Sequence, residues 1–355
     1  MRKALVVRFS SLGDIVLTFP AVNALRQAGG TEIHYLTKES YADLVRMNGA
    51  GLHIHTISNH ASLRELVAMV LALKQQRFND IYDLHRNVRS RIVLFLLSFG
   101  APTVVRSIRK FRMQEWFLFV FRRRLFKRIV GRDLGRAAEA LSTTQGRADV
   151  EGRRSLLETG ALPTVGSGQD SQPKFGTRKY VCISMESAWP QKQWPAQRFI
   201  EIAKGLRDRG LDVVWLGVKP LSASRQGSGD IDLTVKTDLP HAAAVLKNAE
   251  LLVCNDSGLM HLAEAVGTPV VAIFGPTSRE LGFAPALPSS RIVEVDLWCR
   301  PCSKTGRLCI RPIQRRKCLM DIDVTRVWSA TLSVLTARQN AAGQKVASDL
   351  SGGSV

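Results

Sequence analysis

The feature that most constrains the fold is one sequence pattern that occurs twice along the chain. An apolar run of strand length, a polar loop and then apolar residues at helical spacing begin at residue 3 and again at residue 180. Between the two copies, residues 162–179 are rich in Gly, Ser, Gln and Pro and contain few apolar side chains. Strands that alternate with helices are typical of a parallel sheet covered by helices. We therefore predict two α/β domains joined by a linker.

The domain boundaries follow from the same pattern. The 355 residues are enough for two hydrophobic cores, since single domains usually have about 100 to 200 residues. The residues from about position 341 are rich in Gly and Ser, which predicts disorder. We predict a first domain at 1–162, a linker at 163–179, a second domain at 180–330, and a C-terminal helix with a disordered tail at 331–355.

Within each domain the predicted strands and helices alternate, as in a doubly wound sheet. Functional loops are expected at the carboxyl ends of the strands, where such sheets bind their ligands. In the first domain we predict strands at 3–8, 32–36, 81–84 and 102–106, and helices at 63–76 and 90–97. In the second domain we predict strands at 180–184, 212–216, 251–254 and 270–274. We also predict three helices, of which the first begins at 195, the second begins at about 241 and the third ends at 267.

The charge of the chain indicates an anionic partner. It carries a formal net charge of +20, from 50 Lys and Arg against 30 Asp and Glu. Such an excess attracts nucleic acid, anionic lipid head groups or phosphorylated glycans. Residues 101–140 combine eleven Lys and Arg and three acids with interleaved Phe and Trp. This segment is typical of a surface for lipid head groups and phosphorylated sugars, or for nucleic acid, or of an amphipathic helix with a buried aromatic face and solvated arginines.

No targeting or membrane-spanning segment is expected. The apolar residues 4–7 end at Arg8, and this run is too short for the core of a signal peptide. No run approaches the roughly 18 apolar residues that cross a bilayer. Six cysteines without a secretion signal predict reduced thiols. We therefore predict a cytoplasmic protein that is soluble or at most peripheral on a membrane.

The first candidate loop is formed by Ser10, Ser11, Leu12, Gly13 and Asp14, between a predicted strand and a helix. Backbone N–H groups and the positive end of the helix dipole face a ligand at such a position. Gly13 allows the backbone to approach that ligand closely. The alternative is structural, with Ser11 as a helix N-cap and the acid three residues later completing a capping box.

The second candidate loop, residues 186–195, follows the first strand of the second domain. Lys192 in this loop is within reach of a phosphate group. A solvated lysine beside Trp189 and Trp194 is the alternative. No G-x-G-x-x-G fingerprint is present, so the binding of a dinucleotide in the manner of dehydrogenases is not predicted.

The third candidate loop, residues 255–262, also lies between a strand and a helix. Asp256 and Ser257 are either ligand-binding residues or caps of this helix, and His261 is either a ligand-binding residue or a hydrogen-bonded histidine of its first turn. The second and third loops follow strands of one sheet, so we expect them to converge on one crevice.

Five segments together resemble the heptosyltransferases of glycosyltransferase family 9. They are residues 10–14 (Ser-Ser-Leu-Gly-Asp), 83–90 (Asp-Leu-His-Arg-Asn-Val-Arg-Ser), 189–195 (Trp-Pro-Gln-Lys-Gln-Trp-Pro), 256–261 (Asp-Ser-Gly-Leu-Met-His) and 275–277 (Gly-Pro-Thr). The resemblance extends from about residue 1 to residue 330. Their order and spacing are specific, although each motif is weak alone.

The resemblance implies a GT-B fold, in which two Rossmann-like domains flank a cleft. It also implies an inverting transfer of heptose from ADP-heptose, bound by the second domain, to the inner core of a lipopolysaccharide precursor. The acceptor, an anionic glycan linked to lipid A with Kdo or inner core, is expected against the first domain, at the inner face of the cytoplasmic membrane. The resemblance implies no required cofactor. A transferase for another nucleotide sugar or glycan, or a noncatalytic binder of anions or nucleic acid, remains an alternative.

The resemblance assigns roles to individual residues. Asp14 matches the catalytic base that takes the proton of the acceptor hydroxyl. Lys192 matches the lysine that neutralises the diphosphate, and Asp256 is expected to bind sugar hydroxyls. The full set of predicted donor-binding residues is Ser187, Lys192, Asp256, Ser257, Gly258, Leu259 and His261. The predicted residues of the acceptor and cleft loops are Ser10, Ser11, Gly13, Arg86, Asn87 and Arg89.

The second loop departs from the pattern of many relatives. Residues 184–187 lack a Pro-Gly pair, and Glu186 brings an acid near the expected diphosphate. Relatives often carry a ribose-binding carboxylate after Gly217, where this chain has Val218 and Lys219. The sequence leaves open whether the Glu186 carboxylate points away from the donor or holds its ribose.

A cluster of cysteines lies near the end of the second domain. Their spacing is C-x2-C, then six residues, a cysteine, eight residues and a cysteine, and four such thiols are able to hold zinc. Similar cysteines occur in many relatives without a role for zinc in the chemistry. Reduced or loosely paired thiols are therefore preferred over a metal site. The four residues are Cys299, Cys302, Cys309 and Cys318.

Overall fold

The computed structural model describes residues 1–107, 178–221, 227, 229–302 and 305–351, and of residues 280 and 342–351 it describes the backbone. Contacts divide the chain into two compact units, which contain the described residues 1–107 and 178–351. Most of the basic segment at 101–140 and of the predicted linker at 163–179 lies outside the described residues. The predicted domain limits therefore stay predictions.

The described part of the first unit is a parallel sheet with the strand order β3-β2-β1-β4-β5. The chain passes outward from β1 in one direction and then in the other, which makes the sheet doubly wound. The strands are β1 (Arg2–Val7), β2 (Thr31–Lys38), β3 (Leu52–Ile57), β4 (Asp80–Asp83) and β5 (Val104–Ser107). The helices are α1 (Leu12–Val16), α2 (Phe19–Gln27), α3 (Ala42–Arg46), α4 (Leu63–Lys74) and α5 (Val88–Ser98).

The described part of the second unit is a parallel sheet with the order β11-β10-β9-β6-β7-β8. Its strands are β6 (Tyr180–Ser184), β7 (Asp212–Trp215), β8 (Ile231–Asp232), β9 (Leu252–Asn255), β10 (Val270–Phe274) and β11 (Arg291–Glu294). Its helices are α6 (Ala196–Arg207), α7 (Leu239–Asn248), α8 (Gly258–Ala265), α9 (Lys317–Met320) and α10 (Val324–Ser351).

The central strands of the second sheet are buried along their whole length. Every residue of β6 and β10 is buried, and the sequences of these strands are nearly continuous apolar runs. Such runs are expected where helices cover both faces of a parallel sheet. On one face, the Trp194 indole donates a hydrogen bond to the carbonyl of Ile322 over 2.9 Å. A β-carbon at Gly205 in α6 would lie 2.9 Å from the Trp328 ring, so this glycine allows α10 to pack closely.

The predicted strands and helices are confirmed, with ends within two residues of the predicted positions, except that the C-terminal helix begins at Val324 rather than at residue 331. Strands β3, β8 and β11 were not predicted. In β3, histidines alternate with apolar residues, so this edge strand lacks the continuous apolar run by which the other strands were recognised. β8 has two residues, which is too short for a periodic pattern. None of the helices in the described ranges combines the length and apolarity that a bilayer span requires.

The prediction of a disordered tail from about residue 341 is wrong as far as Ser351. Helix α10 begins at Val324 and ends at Ser351. Residues 341–350 contain one glycine and one serine among good helix formers such as Ala, Gln, Lys and Leu. The Gly and Ser residues that suggested disorder are concentrated after position 350.

A group of histidines connects β2 and β3 on one face of the first sheet. The ring of His34 is buried and stacks on those of His53 and His55. Its Nδ1 lies 2.8 Å from Nε2 of His55, and its Nε2 lies 2.9 Å from the carboxylate of Glu32. Burial, together with the charges of the other two histidines, lowers the pKa of His55 to about 4. With this lowered pKa, His55 is neutral at pH 7.

We expect His55 to make the stability of the first unit depend on pH. Its pKa rises from about 4 in the folded chain to about 6.5 on unfolding, so the unfolded chain binds the extra proton between these values. The free energy of unfolding should therefore fall as pH falls from about 6.5 to about 4. Urea unfolding of His55→Gln should show a smaller fall than wild type. His60→Gln, which changes an exposed histidine, should follow wild type, and an identical fall in all three proteins would contradict the assignment.

Candidate functional site

The predicted site residues form one group in each unit. In the first unit they follow β1 and β4, which are neighbouring parallel strands. In the second unit they follow β6, β9 and β10, which are also neighbours. Both groups therefore lie at the carboxyl ends of their strands, as the sequence predicted.

Asp14 is held by an arginine and by the start of its own helix. Its Oδ2 lies 2.6 Å from a guanidinium nitrogen of Arg8. The same oxygen accepts hydrogen bonds from Oγ of Ser11 over 2.9 Å and from the backbone N–H of Ser11 over 3.2 Å. Ser11 is the N-cap of α1, so the structural alternative considered for this loop is present. The cap fixes the carboxylate and leaves about a quarter of the Asp14 side chain exposed.

Arg8 connects the two candidate loops of the first unit. Its guanidinium donates to the carbonyl of Ser10 over 2.8 Å and to the carbonyl of Leu84, which directly follows β4. Arg8 is buried, although it is a charged residue at the end of an apolar strand. Removal of its charge from water is compensated by the carboxylate of Asp14 and by these two carbonyls.

The environment of Asp14 keeps this residue ionised at neutral pH. Burial alone would raise the pKa of Asp14. The positive charge of Arg8 and the hydrogen bonds from Ser11 outweigh burial and hold the pKa below its ordinary value. A carboxylate that is ionised, fixed and partly exposed at the end of a strand is able to accept a proton from a bound hydroxyl.

We expect Arg8→Met to raise the pKa of Asp14, because burial then acts with less opposition. The acid limb of the pH profile of kcat/KM should move to higher pH. Arg8→Lys keeps a positive charge and should move the limb less. Arg46→Met, which breaks an exposed ion pair with Asp43, serves as the control and should leave the profile unchanged. An acid limb that does not move in Arg8→Met would show that Arg8 does not control this ionisation.

The loop that follows β4 is organised by a buried carboxylate. Asp83 accepts hydrogen bonds from the backbone N–H groups of His85 and Arg86 and from Oγ of Ser90. Asn87 is the N-cap of α5, and its side-chain oxygen accepts from the N–H of Ser90 over 2.8 Å. Asn87 therefore has a structural role in the loop.

The two predicted acceptor-binding arginines lie on either side of this cap. Arg86 adopts a left-handed backbone conformation with φ of 52°. Arg89 is exposed in the first turn of α5. The carboxyl ends of β1 and β4 are adjacent, so this loop and the loop of Asp14 neighbour one another. The roles of Arg86 and Arg89 in acceptor binding stay predictions.

In the second unit, Lys192 and Asp256 form a largely buried ion pair. Nζ of Lys192 lies 2.5 Å from Oδ2 of Asp256, and their side chains are 13% and 7% exposed. The same oxygen accepts a hydrogen bond from Oγ1 of Thr277 over 2.6 Å. These residues follow β6, β9 and β10, so the predicted convergence of the second and third loops is confirmed. The predicted contact of Asp256 with sugar hydroxyls stays a prediction, because the structure instead gives this carboxylate a role in positioning Lys192.

Asn255 and Ser187 hold these loops together. The side chain of Asn255 is fully buried, donates to the carbonyl of Met185 over 2.7 Å and accepts from the N–H of Trp194 over 2.9 Å. The Ser187 hydroxyl donates to the carbonyl of Asp256 over 2.9 Å. Asn255 therefore connects both ends of the loop that contains Lys192 to the end of β9.

The turn that carries Thr277 is fixed by a second buried arginine. Arg300 donates to the carbonyls of Gly275, Val295 and Thr277 and lies 2.7 Å from the carboxylate of Glu294. These four partners satisfy a guanidinium that is almost inaccessible to water. Arg300 thus acts on Asp256 through the turn at 275–277.

The segment with the cysteines packs against Lys192. A β-carbon at Gly306, where φ is 71°, would lie 2.6 Å from Cγ of Lys192 and 3.0 Å from a ring carbon of Pro276. Arg307 stacks over the ring of Trp189 at 5.0 Å, and Arg316 donates to the carbonyl of Gln193. This segment therefore restricts the lysine stem and the loop around it.

The four cysteines are free thiols near one another. Burial, together with the interactions among the thiols including Cys299 and Cys309, raises the pKa of Cys302 to about 11 and that of Cys318 to about 12. Within the described ranges, no three Cys, His, Asp or Glu side chains are arranged to hold a metal ion. The zinc alternative stays a hypothesis.

The predicted donor-binding turn forms the start of α8. Ser257 is the N-cap, and its side chain makes no capping hydrogen bond. The first N–H groups of a helix have no partner within the helix, so those from Gly258 and Leu259 onward are donors that an anion is able to accept from. His261 is buried at the end of the first turn. The donor contacts of these residues stay predictions.

The carboxylate of Glu186 binds backbone N–H groups, whereas Lys192 is paired with Asp256. Its carboxylate accepts hydrogen bonds from the N–H groups of Val218 over 2.9 Å and Lys219 over 2.6 Å. A β-carbon at Gly217 would lie 2.9 Å from Oε1 of Glu186. The acid therefore reaches the end of β7, where the sequence itself has no carboxylate.

Four residues that organise the site were not singled out from the sequence as site residues. They are Arg8, Asn255, Thr277 and Arg300. Two of them carried a signal, because Arg8 is a charge directly after an apolar strand and Thr277 lies in a recognised Gly-Pro-Thr motif. The contacts of Asn255 and Arg300 depend on loops that are distant in sequence.

Comparisons with known proteins define the class. Residues 67–309 match the family model of glycosyltransferase family 9 (heptosyltransferase). This match covers more than half of the 355 residues, and the chain belongs to glycosyltransferase family 9. Lipopolysaccharide heptosyltransferase 1 of Pseudomonas aeruginosa is 26% identical over 323 residues, which cover 85% of this chain and 86% of that protein.

Two solved structures are similar along nearly the whole chain. The glycosyl transferase family 9 protein from Veillonella parvula has a TM-score of 0.71 at 20% identity and covers 95% of this chain and 98% of its own. The ADP-heptose lps heptosyltransferase II of Escherichia coli has a TM-score of 0.68 at 20% identity and covers 95% and 99%. With the two parallel sheets, these likenesses confirm the predicted GT-B class.

Proposed function

We propose that this glycosyltransferase transfers a heptose from ADP-heptose to the inner core of a lipopolysaccharide precursor, with inversion at the anomeric carbon. The similar protein of Pseudomonas aeruginosa is a lipopolysaccharide heptosyltransferase, and the similar Escherichia coli structure is an ADP-heptose heptosyltransferase. The observation that carries the proposal is the Lys192–Asp256–Thr277 group beside the start of α8.

This group fits the diphosphate of an activated sugar. Lys192 supplies a cation that is paired with Asp256 and whose stem packs against the backbone at Gly306, and the first turn of α8 supplies backbone N–H donors. Negative charge develops on the diphosphate as its bond to the sugar breaks, and fixed donors stabilise that charge. In this scheme the protein's own groups neutralise the leaving group without a metal ion.

Asp14 is the proposed base. As the acceptor oxygen attacks the anomeric carbon, its proton passes to the carboxylate of Asp14, and the nucleoside diphosphate leaves from the opposite face. Arg8 and Ser11 keep that carboxylate ionised before the reaction. Arg86 and Arg89 provide positive charge for an anionic acceptor, which is consistent with the net charge of +20. Such an acceptor is embedded in the inner face of the cytoplasmic membrane, where the enzyme would be peripheral.

The test is product analysis with purified enzyme, ADP-heptose and a panel of acceptors. The panel contains Kdo-bearing lipid A, its deacylated form and inner cores that already carry one heptose, each with and without phosphate. Mass spectrometry should detect the addition of one heptose to one panel member, and NMR should show the anomeric configuration opposite to that of the donor. Retention of configuration, or no transfer to any of these glycans, would contradict the proposal.

A further inference from the structure

One face of α5 exposes large apolar side chains. Val88, Phe95 and Phe99 have 74%, 64% and 67% of their surface accessible. Phe95 follows Val88 by seven residues, and Phe99, the C-cap of α5, follows Phe95 by four, so the three lie along one stripe. The two phenylalanine rings are 5.9 Å apart. The opposite side of α5 is buried in the core through Val93, Leu94 and Leu97.

The stripe is bordered by cations. Arg89 and Arg91 are exposed on α5, and Nζ of Lys74 at the end of α4 lies 5.7 Å from the centroid of the Phe99 ring. From residue 84 to residue 107 the chain contains four arginines and no acidic residue. We call Val88, Phe95 and Phe99, with Arg89, Arg91 and Lys74, the α5 face.

We propose that the α5 face binds the surface of an anionic lipid bilayer. The phenylalanines enter the boundary between head groups and acyl chains, and the cations pair with anionic head groups. Each effect alone gives weak attachment, and their combination on one helix is typical of reversible interfacial binding. The net charge of +20 adds long-range attraction to the same surface.

The chemistry of the face favours a bilayer over other polyanions. Duplex nucleic acid would pair with the arginines and would leave the apolar stripe in water, because its outer surface of phosphates offers the stripe no apolar partner. A bilayer accommodates both parts of the face, since its head groups are charged and its acyl chains are apolar. Exposed contiguous apolar side chains bordered by polar residues mark interaction surfaces.

The position of the face fits the proposed function, on which this part of the inference rests. Helix α5 begins directly after Arg86 and Asn87, and Val88 and Arg89 form its first turn. Phe95 and Phe99 lie roughly 10 and 16 Å further along the helix axis, at 1.5 Å per residue. A bilayer bound by the α5 face would therefore bring a lipid-linked acceptor close to the loop that is predicted to bind it.

The test is sedimentation of the full chain with vesicles of pure phosphatidylcholine and of phosphatidylcholine with phosphatidylglycerol. Wild type should bind the anionic vesicles, and added salt should weaken this binding. The double variant Phe95→Ser/Phe99→Ser and the double variant Lys74→Gln/Arg91→Gln should each lose at least tenfold in affinity. The control Val218→Ser/Ile313→Ser removes two exposed apolar side chains of the second unit and should bind as wild type does.

Three results would overturn the inference. They are failure of wild type to bind anionic vesicles, wild-type binding by both double variants, and a dimer in solution that Phe95→Ser/Phe99→Ser dissociates.

Circular dichroism and thermal unfolding check that the variants fold. Transfer to a deacylated, soluble acceptor should be unchanged in Phe95→Ser/Phe99→Ser, and transfer to a vesicle-bound acceptor should fall. Vesicle binding that follows these expectations without heptose transfer would support the surface and reject the proposed function.

Discussion

Replacement of Asp14 by asparagine is expected to lower turnover about a hundredfold or more, the scale at which general bases contribute. Asparagine keeps nearly the same shape and can accept the hydrogen bonds of Arg8 and Ser11, but it cannot take a proton from the acceptor. The loss should therefore appear in kcat, with little change in donor binding. The measurement is the initial rate of ADP release with saturating donor and acceptor.

The control for this substitution is Asp43→Asn. Asp43 is exposed on α3 and pairs only at the surface with Arg46, so its loss should leave the rate unchanged. Donor affinity measured by calorimetry separates a damaged fold from a missing base, because Asp14→Asn should bind donor as wild type does. Wild-type turnover in Asp14→Asn would exclude this residue as the base.

Loss of the Asp256 carboxylate is expected to damage both stability and activity. Asp256→Ala leaves the largely buried ammonium of Lys192 without its counter-charge. Breaking a buried pair in this way costs about 3–5 kcal/mol of unfolding free energy. The reoriented lysine should also bind the donor diphosphate less well. Urea unfolding and donor titration measure the two effects.

A double substitution separates the structural and functional roles of this pair. Lys192→Met/Asp256→Leu replaces both charges with apolar side chains of similar size, and such replacements are often neutral for stability. We therefore expect the double variant to unfold close to wild type and to have no measurable turnover. If it regained activity along with stability, the pair would be structural only.

The matched control for this pair lies on the surface of the same unit. Lys317 and Asp321 form an i,i+4 ion pair at 2.8 Å, with about a third of each side chain exposed. Asp321→Ala should change the unfolding free energy by about 1 kcal/mol or less, because solvent screens an exposed pair. A loss equal to that of Asp256→Ala would show that burial of the site pair has no special effect.

The sequence was sufficient to predict the arrangement of the loops. Alternation of short apolar runs with helical periodicity located eight of the eleven strands in the described ranges, within two residues of their observed ends. Parallel strands place their carboxyl ends at one edge of the sheet, and since β6 and β9 are neighbours there, Lys192 and Asp256 meet although 64 residues separate them. The structural consequence of sheet topology was therefore accessible before any side-chain contact was known.

The contacts that tune the site could not be predicted in the same way. The partner of Asp14 is Arg8, and burial of that arginine depends on Leu84, which only the pairing of β1 with β4 brings near. Likewise, the role of Arg300 depends on the irregular segment after β11, which has no periodic pattern. Local periodicity contains no information about such pairs.

The position of the Glu186 carboxylate is a point that the sequence left open. The absence of a carboxylate after Gly217 suggested a change in the donor site. In the structure the Glu186 carboxylate reaches that position from the neighbouring strand and accepts from the N–H groups of Val218 and Lys219. Space for this contact exists because residue 217 has no side chain.

The central claim is that the chain uses ADP-heptose as its donor and Asp14 as its base. The most direct measurement is ADP or nucleotide release from ADP-heptose, ADP-glucose, UDP-glucose and GDP-mannose, each with and without the same inner-core acceptor, for wild type and Asp14→Asn. The account predicts acceptor-dependent release from ADP-heptose by wild type that Asp14→Asn lowers at least a hundredfold. Preferred turnover of a UDP or GDP sugar, or equal rates for the two proteins, would contradict it.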